Sequence, residues 1–376
     1  MAQESVQPIS KMIHFDAPNV GALEKEYAAK AIDSGFISTF GPFVGEFEQT
    51  VAKYVGAPSA VATQSGTAAL YMALYELGVK AGDEVIVPAI TFVATVNPVI
   101  YLGATPVFVD VDEETWNMDP KDLERAVTKK TKAVIPVHIY GNPCDMDAIM
   151  SIAKKHNLYV IEDATESLGA TYKDRAMGTF GDFGCLSFNG NKVITTGGGG
   201  MLLGTDVGRL KHIKYLINQA KSEYIEEVHQ EIGFNYRMTN IEGAIGIAQM
   251  KRVGEFLKLK RRFSEIYHEG LEGVSSITIQ KEYPNARSSW WATCLRFSDG
   301  RDVEPLRQRL AALNVPVKRI LKPVPDYPPY ATYSMRPCEV AGKIYHSSLV
   351  LPNSTLNAEE DIGHVCAVIK ECVRHG

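Results

Sequence analysis

The 376-residue chain lacks the marks of several functional classes. Its six cysteines, Cys144, Cys185, Cys294, Cys338, Cys366 and Cys372, are scattered and form no CxxC pair. Neither a disulfide framework nor a zinc site follows from that spacing. Basic excess is absent: 39 Lys+Arg against 44 Asp+Glu leave a net charge of −5. That sign disfavours a protein whose main task is holding nucleic-acid phosphates, so no nucleic-acid partner is expected. The densest basic stretch, Lys251 to Arg262, interleaves with apolar residues like a helix surface. One uncharged run, Val85 to Val109, has the length of a membrane span. Pro88, Pro98, Pro106, Asn97 and Gly103 interrupt it, and strand–helix–strand inside a core is the better reading, with no membrane partner. The opening MAQESVQPIS has no basic start followed by an apolar stretch, so no secretory signal is expected and a cytoplasmic location is. Internal repeats and low-complexity tracts are missing.

What is present is the balance of a soluble globular chain, 45% hydrophobic and 22% charged. At roughly 150 residues per domain the length predicts two to three domains, here one large unit at about 1–250 and a smaller one at 251–376. In the first part helical and strand patterns alternate. Leu23, Tyr27, Ala31 and Ile32 mark one helix face; Val44, Phe47, Val51 and Tyr54 mark a second. Short apolar runs at 59–63, 84–87, 105–109, 133–138 and 159–162 read as buried strands, with helices opening at Asp119-Pro120 and Asp145. The alternation predicts an α/β fold with a mostly parallel sheet covered by helices on both faces. Thr239 followed by Glu242 is a capping-box pattern that introduces a long helix, Ile241 to about Leu271. Beyond Gly273 strands near 276–279 and 291–297 and helices at 303–313 and 359–373 predict a small α+β unit. The Pro-rich stretch 323–337, with its three tyrosines, reads as an ordered loop.

Three features carry chemistry. Ser65-Gly66-Thr67 lies between a predicted strand and a helix, either a phosphate-binding turn or an ordinary helix cap. Asp163 ends the strand 159–162, at the edge where open α/β sheets bind ligands; a protonated pyridine nitrogen or a structural salt bridge would each satisfy it. Lys192 stands between a short strand and the glycines Gly197 to Gly200. It reads as a lysine for carbonyl chemistry or as a surface lysine beside a loop. The order is wrong for a P-loop, because the lysine precedes the glycines.

The order of phosphate turn, strand-end aspartate and lysine is that of fold-type I pyridoxal-phosphate (PLP) enzymes. More specifically, the chain resembles the DegT/DnrJ/EryC1/StrS family of sugar aminotransferases. The resembling segments are GPFVGEFE at Gly41–Glu48, SGTAAL at Ser65–Leu70, PAITFVAT at Pro88–Thr95, EDATESLGA at Glu162–Ala170, SFNGNKVITTGGGG at Ser187–Gly200 and GFNYRMTNIEGAIG at Gly233–Gly246. The resemblance implies a seven-stranded-type sheet, a smaller C-terminal domain and PLP cycling through pyridoxamine phosphate (PMP). Lys192 would bind the cofactor covalently and shuttle the proton. Asp163 would keep the pyridine nitrogen protonated. Phe92 would stack on the ring, unless it is a plain core aromatic. Gly66, Thr67 and Ser187 would hold the phosphate, joined by Asn235 of the neighbouring subunit in a homodimer with shared sites. Phe40, Tyr236 and Arg237 are sugar-contact candidates by position; His138 and Tyr140 read rather as packing residues near the pocket.

Two departures mark a subgroup. Glu166, a cofactor-binding candidate that would accept from the ring hydroxyl in a suitable protonation state, stands where much of the family has glutamine or histidine, and Gly198 replaces the glutamate of the common TTGEGG run. The variants resemble the branch acting on UDP-N-acetyl 4-keto-6-deoxy sugars, with an amino acid such as glutamate as donor. Competing expectations are another nucleotide-linked keto sugar, a sugar dehydratase using the same cofactor, or a non-catalytic regulatory paralogue. Related dehydratases carry histidine at the lysine position, and retention of Lys192, Asp163 and Ser187 together argues against a regulator.

Overall fold

The computed structural model describes residues 8–222 and 228–374; the first seven residues of the MAQESVQPIS stretch lie outside them. The chain opens with α1 (Ala22–Asp33) and α2 (Pro42–Val55), then alternates β1 (Ser59–Thr63), α3 (Gly66–Glu76), β2 (Glu84–Pro88), α4 (Val93–Tyr101), β3 (Thr105–Val109), α5 (Pro120–Ala126), β4 (Thr131–Val134), α6 (Met146–His156) and β5 (Tyr159–Asp163). Next come β6 (Thr171–Tyr172), β7 (Arg175–Ala176), β8 (Phe183–Ser187), β9 (Gly200–Gly204), α7 (Val207–Leu216) and the 32-residue α8 (Asn240–Leu271). The remainder is β10 (Ile277–Ile279), β11 (Ala286–Arg287), β12 (Cys294–Phe297), α9 (Glu304–Ala312), β13 (Lys318–Arg319), α10 (Glu339–Ser347), β14 (Ser348–Val350) and α11 (Glu359–Arg374).

The large sheet has seven strands in the order β1-β9-β8-β5-β4-β2-β3. Only β9 runs against the others; β8, β5, β4, β2 and β3 pair in parallel. The mostly parallel sheet read from the sequence is therefore present. Its strands are apolar on both faces because both are covered. Ala60, Ala62, Ile86, Val134 and Val160 face one buried cluster, shared with α2, α6 and α8. Val61, Val85, Val87, Ala133 and Ile161 face the other, shared with α3, α4 and α7. A separate antiparallel sheet, β10-β12-β14-β13, packs with α9 and α11 around its own core.

Local chemistry explains the boundaries. The Thr239 hydroxyl and the Glu242 carboxylate cap one another's backbone N–H groups, as the capping-box pattern predicted. Asp119 and Asp145 cap α5 and α6. The strand predicted at 133–138 is shorter, ending at Val134, because Pro136 has no N–H to continue the ladder. Ile32, assigned to a buried helix face, is 58% exposed. The Pro-rich stretch is ordered by two 3₁₀ turns, 324–326 and 328–333, and by a Tyr330 hydroxyl donating to Asn97. Among the described residues no helix is long and apolar enough to cross a membrane.

At the end of β5 the fully buried Glu162 carboxylate accepts backbone N–H bonds from Gly178, Phe180 and Gly181 and lies 3.2 Å from His138 Nε2. Removing it leaves those donors buried without a partner, which is costly in a protein interior. Glu162→Ala should therefore lower the unfolding free energy by about 3 kcal/mol, read from urea denaturation. A change below about 0.5 kcal/mol would show that water or backbone shifts replace the carboxylate.

Candidate active site

The carboxyl ends of β1, β2, β5 and β8 meet on one side of the sheet, the position where open α/β folds leave a crevice. A cavity of about 540 Å³ opens there. Gly66, Thr67, Phe92, Asp163, Glu166, Ser187 and Lys192 all line it. Residues from several separate sequence segments of the first two-thirds and from the C-terminal part thus share one pocket wall, the latter through Trp291, Lys318, Arg319, Leu321 and Val350.

The turn before α3 is built for close approach. Ser65 caps the helix, its hydroxyl accepting the Ala68 N–H at 3.1 Å. The remaining N–H groups of a first helical turn have no carbonyl within the helix and carry the positive end of its dipole. A Cβ on Gly66 would sit 3.0 Å from the Ser187 Cβ and 3.1 Å from Thr165 Cγ2; one on Gly200 would sit 2.4 Å from the Ser65 carbonyl carbon. The turn, the Ser187 hydroxyl and the start of β9 therefore form a tight cradle around the helix N-terminus.

Asp163 forms the floor and is nearly fully buried. One carboxylate oxygen accepts from the Thr95 hydroxyl at 2.6 Å and the other from the Thr165 N–H at 3.2 Å. The Thr95 oxygen in turn lies 2.6 Å from that of Thr91. Among the described residues no cation is within ion-pair distance of Asp163, so the structural salt bridge considered from sequence is absent. Its carboxylate is oriented by the Thr95 hydroxyl and the Thr165 N–H and left to meet a charge from the cavity.

Lys192 reaches the pocket from the loop between β8 and β9. Its Nζ lies 3.4 Å from Glu166 Oε1 and 4.5 Å from the centroid of the Trp291 ring. Only 15% of its side chain is exposed, so the surface-lysine reading is excluded. Glu166 Oε2 accepts the Tyr140 N–H at 2.8 Å. Burial raises the Glu166 carboxyl above the usual carboxylate range, opposed by the nearby Lys192 ammonium. A carboxylate so placed can hold a proton or give one to the lysine nitrogen.

Not every candidate enters the cavity. Phe92 stands at its rim, 57% exposed, as the N-cap of α4. Phe40, Asn235, Tyr236 and Arg237 lie outside the pocket of their own chain. Asn235 is exposed and bridges the backbone at Asn218; the Tyr236 carbonyl accepts the Gln64 N–H beside the phosphate turn. Arg237 stacks on Phe40 at 5.6 Å, and burial lowers its pKa. His138 is buried against Glu162, a packing residue as expected. Tyr140 is buried too but also lines the cavity, its ring parallel to Trp291. Thr95 and Trp291 carry contacts the sequence reading did not assign. Thr95 sat inside the PAITFVAT segment, four residues from Thr91; Trp291 lies far along the chain from the other pocket motifs and gave no local signal.

Comparison with known proteins places this geometry. The DegT/DnrJ/EryC1/StrS aminotransferase family model matches residues 18–370. The chain is 38% identical over 362 residues to GDP-perosamine synthase of Escherichia coli O157:H7, covering 96% of this chain and 98% of that one. It is 35% identical over 335 residues to the UDP-N-acetyl-3-dehydro-alpha-D-glucosamine 3-aminotransferase of Acidithiobacillus ferrooxidans, covering 88% of each. Among solved structures it superposes on Spr1654 of Streptococcus pneumoniae in both the PLP and the PMP form, each with a TM-score of 0.92 and 27% identity. These alignments span 97% and 96% of this chain and 99% of that one. The cofactor is PLP, and the pocket fits it: a helix-end cradle for a phosphate, a carboxylate without an ion-pair partner on the floor for a ring nitrogen, and a lysine on the same wall. With the family model matched over nearly its whole length, the chain belongs to the DegT/DnrJ/EryC1/StrS aminotransferase family and is a PLP-dependent sugar aminotransferase.

Proposed function

We propose that this aminotransferase moves an amino group from an amino acid, L-glutamate in the first instance, to C-4 of a UDP-linked 2-acetamido-4-keto-2,6-dideoxy sugar. The product would be a 4-amino sugar for surface glycan synthesis, made in the cytoplasm. The observation that carries the transfer chemistry is the Lys192 amine held 3.4 Å from Glu166 in the same pocket as the Asp163 carboxylate. When bound, PLP supplies an electron sink for the carbon that loses or gains a proton. Asp163, oriented by Thr95, keeps the positive charge on the ring nitrogen. Gly66, Thr67 and Ser187 would hold the phosphate, and Phe92 at the rim would pack against the cofactor. Lys192 anchors the cofactor, then carries the proton to and from the substrate carbon, with Glu166 as its nearest proton partner. The two substrates react in turn at one pocket.

The sugar assignment is supported by the PAITFVAT, EDATESLGA and TTGGGG variants. A second reading, a GDP-linked 4-keto-6-deoxy sugar, is favoured by the similarity to GDP-perosamine synthases, which recurs at 38% identity in Caulobacter vibrioides. Gly198 faces a carboxylate: a Cβ there would stand 3.1 Å from Glu242 Oε1. A glutamate there would bring two carboxylates together beside the pocket, which supports treating Gly198 as a subgroup mark.

Incubating the purified protein with glutamate and UDP-, GDP- and dTDP-linked 4-keto sugars, and weighing the products, tests the substrate. The expected result is amination of the UDP-N-acetyl sugar. Efficient amination of GDP-4-keto-6-deoxymannose alone selects the second reading.

Lys192→Ala should abolish turnover, by about 10⁴-fold or more, while thermal unfolding and cofactor content stay close to wild type, because the phosphate cradle and Asp163 remain. Wild-type rates in this variant would end the assignment.

The proposal also makes the working unit a homodimer in which Asn235 donates to the phosphate of the partner's site. Its neutral amide adds a donor without adding charge. Inactive Lys192→Ala chains mixed with inactive Asn235→Ala chains should then recover activity, since a heterodimer has one site with neither defect. No recovery in a mixture shown to exchange subunits would reject the shared site.

A further inference from the structure

The amine of Lys192 has a second neighbour, the indole of Trp291, which reaches the pocket from the C-terminal part of the chain. That indole is fixed at several points. Its Nε1–H donates to the Asn191 carbonyl at 2.7 Å, so it grips the residue immediately before Lys192. Its ring lies parallel to Tyr140, with centroids 6.2 Å apart and 6° between planes. Tyr140 is itself tied down: its hydroxyl accepts the Leu321 N–H and its own N–H donates to Glu166.

The backbone of Trp291 is held from behind. Its carbonyl accepts from Lys260 Nζ at 3.1 Å, and the same Nζ donates to the Asn353 carbonyl at 2.9 Å. Lys260 sits on α8 and is almost fully buried. Among the described residues no carboxylate lies within ion-pair distance of it. Burial holds its ammonium down to about 8, with Asp16 pulling the other way, and the nitrogen donates to both carbonyls. A buried lysine without an acid partner is expensive and rare. Here its two carbonyl partners join α8 to the segments that carry Trp291 and Asn353.

We propose that Trp291 is a positioning residue for Lys192, holding the amine over the pocket with its indole face and its bond to Asn191, and that buried Lys260 is the brace that fixes Trp291. This rests on the reading of Lys192 as the lysine that anchors the cofactor. A lysine side chain has four rotatable bonds, and its amine must return to one place after each half-reaction. A carboxylate on one side and an aromatic face on the other restrict it without a second hydrogen-bond acceptor competing for its proton. The indole face favours the charged form of the nitrogen and still packs against the neutral one. The other charged groups of the pocket wall are Asp163, Asp16, Lys318 and Arg319.

The test uses the PLP-loaded enzyme and the variants Trp291→Phe, Trp291→Leu and Lys260→Met. Three quantities are read: kcat and KM for glutamate, and the pH midpoint of the cofactor absorbance change in the resting enzyme, which reports the lysine nitrogen bound to it. Trp291→Leu should lower kcat about 10-fold with KM changed less than about threefold, and move the midpoint down by about half a unit to one unit. Trp291→Phe keeps a ring and should recover most of the midpoint but not all of kcat, having lost the bond to Asn191. Lys260→Met should reproduce the kcat loss without touching the pocket. An unchanged midpoint and kcat in Trp291→Leu overturns the proposal. So does a loss confined to thermal stability, which would make the tryptophan merely structural; Trp291→Phe, the milder change, decides this if the leucine variant does not fold. Failure of the underlying reading looks different, because the wild-type enzyme would then show no absorbance change dependent on Lys192.

Discussion

Successive side chains of a β-strand leave on opposite faces, and at the end of β5 that rule separates two neighbouring carboxylates into two tasks. Glu162 turns to the face packed by α2, α6 and α8, where it gathers the backbone of 178–181 and His138. Asp163 turns to the other, where Thr95 of α4 orients it at the base of the cavity. A register slip of one residue would bury Asp163 among the structural donors and send Glu162 into the pocket. The parallel pairing of Ile161, Glu162 and Asp163 with Phe183, Gly184 and Cys185 prevents that slip. Gly184 adds to the constraint, since a Cβ there would stand 2.0 Å from the Gly178 carbonyl oxygen. The loop stapled by Glu162 thus packs directly on the strand that delivers Ser187.

With the floor fixed, the remaining electrostatics follow from which charges are already spoken for. Arg319 reaches the cavity wall, but its guanidinium is taken up by Asp302 and Glu304. Lys192 has Glu166, and Glu166 has the Tyr140 N–H as well. Tyr140 adopts a left-handed backbone with φ of 58°, an uncommon conformation for an aromatic residue. The strained conformation coincides with the N–H bond to Glu166 and the hydroxyl contact to Leu321. Strain of this kind persists where surrounding structure over-determines it, and here it lies beside Glu166, the carboxylate in contact with Lys192. Asp163 differs from the others in that only neutral donors hold it. It is the one carboxylate of the floor still able to respond to a charge arriving from the cavity.

Much of this was legible in the sequence because it depends on local rules. The capping box of α8, the aspartate caps of α5 and α6, and the apolar strands are patterns within a few residues, and the structure reproduces them. Seven of the candidate site residues reach one cavity, since each lies in a segment at a strand's carboxyl end. What escaped notice is what long-range packing decides. Strand β9 hides in a glycine-rich tract and reads as loop until it pairs between β1 and β8. Helix α10 follows the prolines and contains Gly342, which weakens its local signal. Trp291 carries no motif, and Thr95 looks like any helix threonine until Asp163 is seen opposite it. His138 and Tyr140 were both read as packing, and only the second also borders the cavity.

The position of the remaining candidates argues for the shared site on physical grounds independent of motif. Phe36, Ile37 and Phe40 are 54%, 51% and 71% exposed, yet their backbone is well anchored. Asn240, the first residue of α8, donates its N–H to Ser38 and its side-chain amide to Phe36, and accepts the Phe43 N–H. Gly41 is required there, because with φ of 132° a Cβ would lie 2.4 Å from the Asn240 side chain. Apolar side chains exposed on a loose loop need no explanation, but these project from a segment clamped to a helix end by several hydrogen bonds. The same helix end carries Arg237, whose guanidinium lies against Phe40, and exposed Asn235. A rigid apolar surface beside a polar side chain that its own pocket does not use is the arrangement a second subunit would complete. The proposed dimer would cover the apolar residues and bring Asn235 to a phosphate in one step, so burial and catalysis would depend on the same contact.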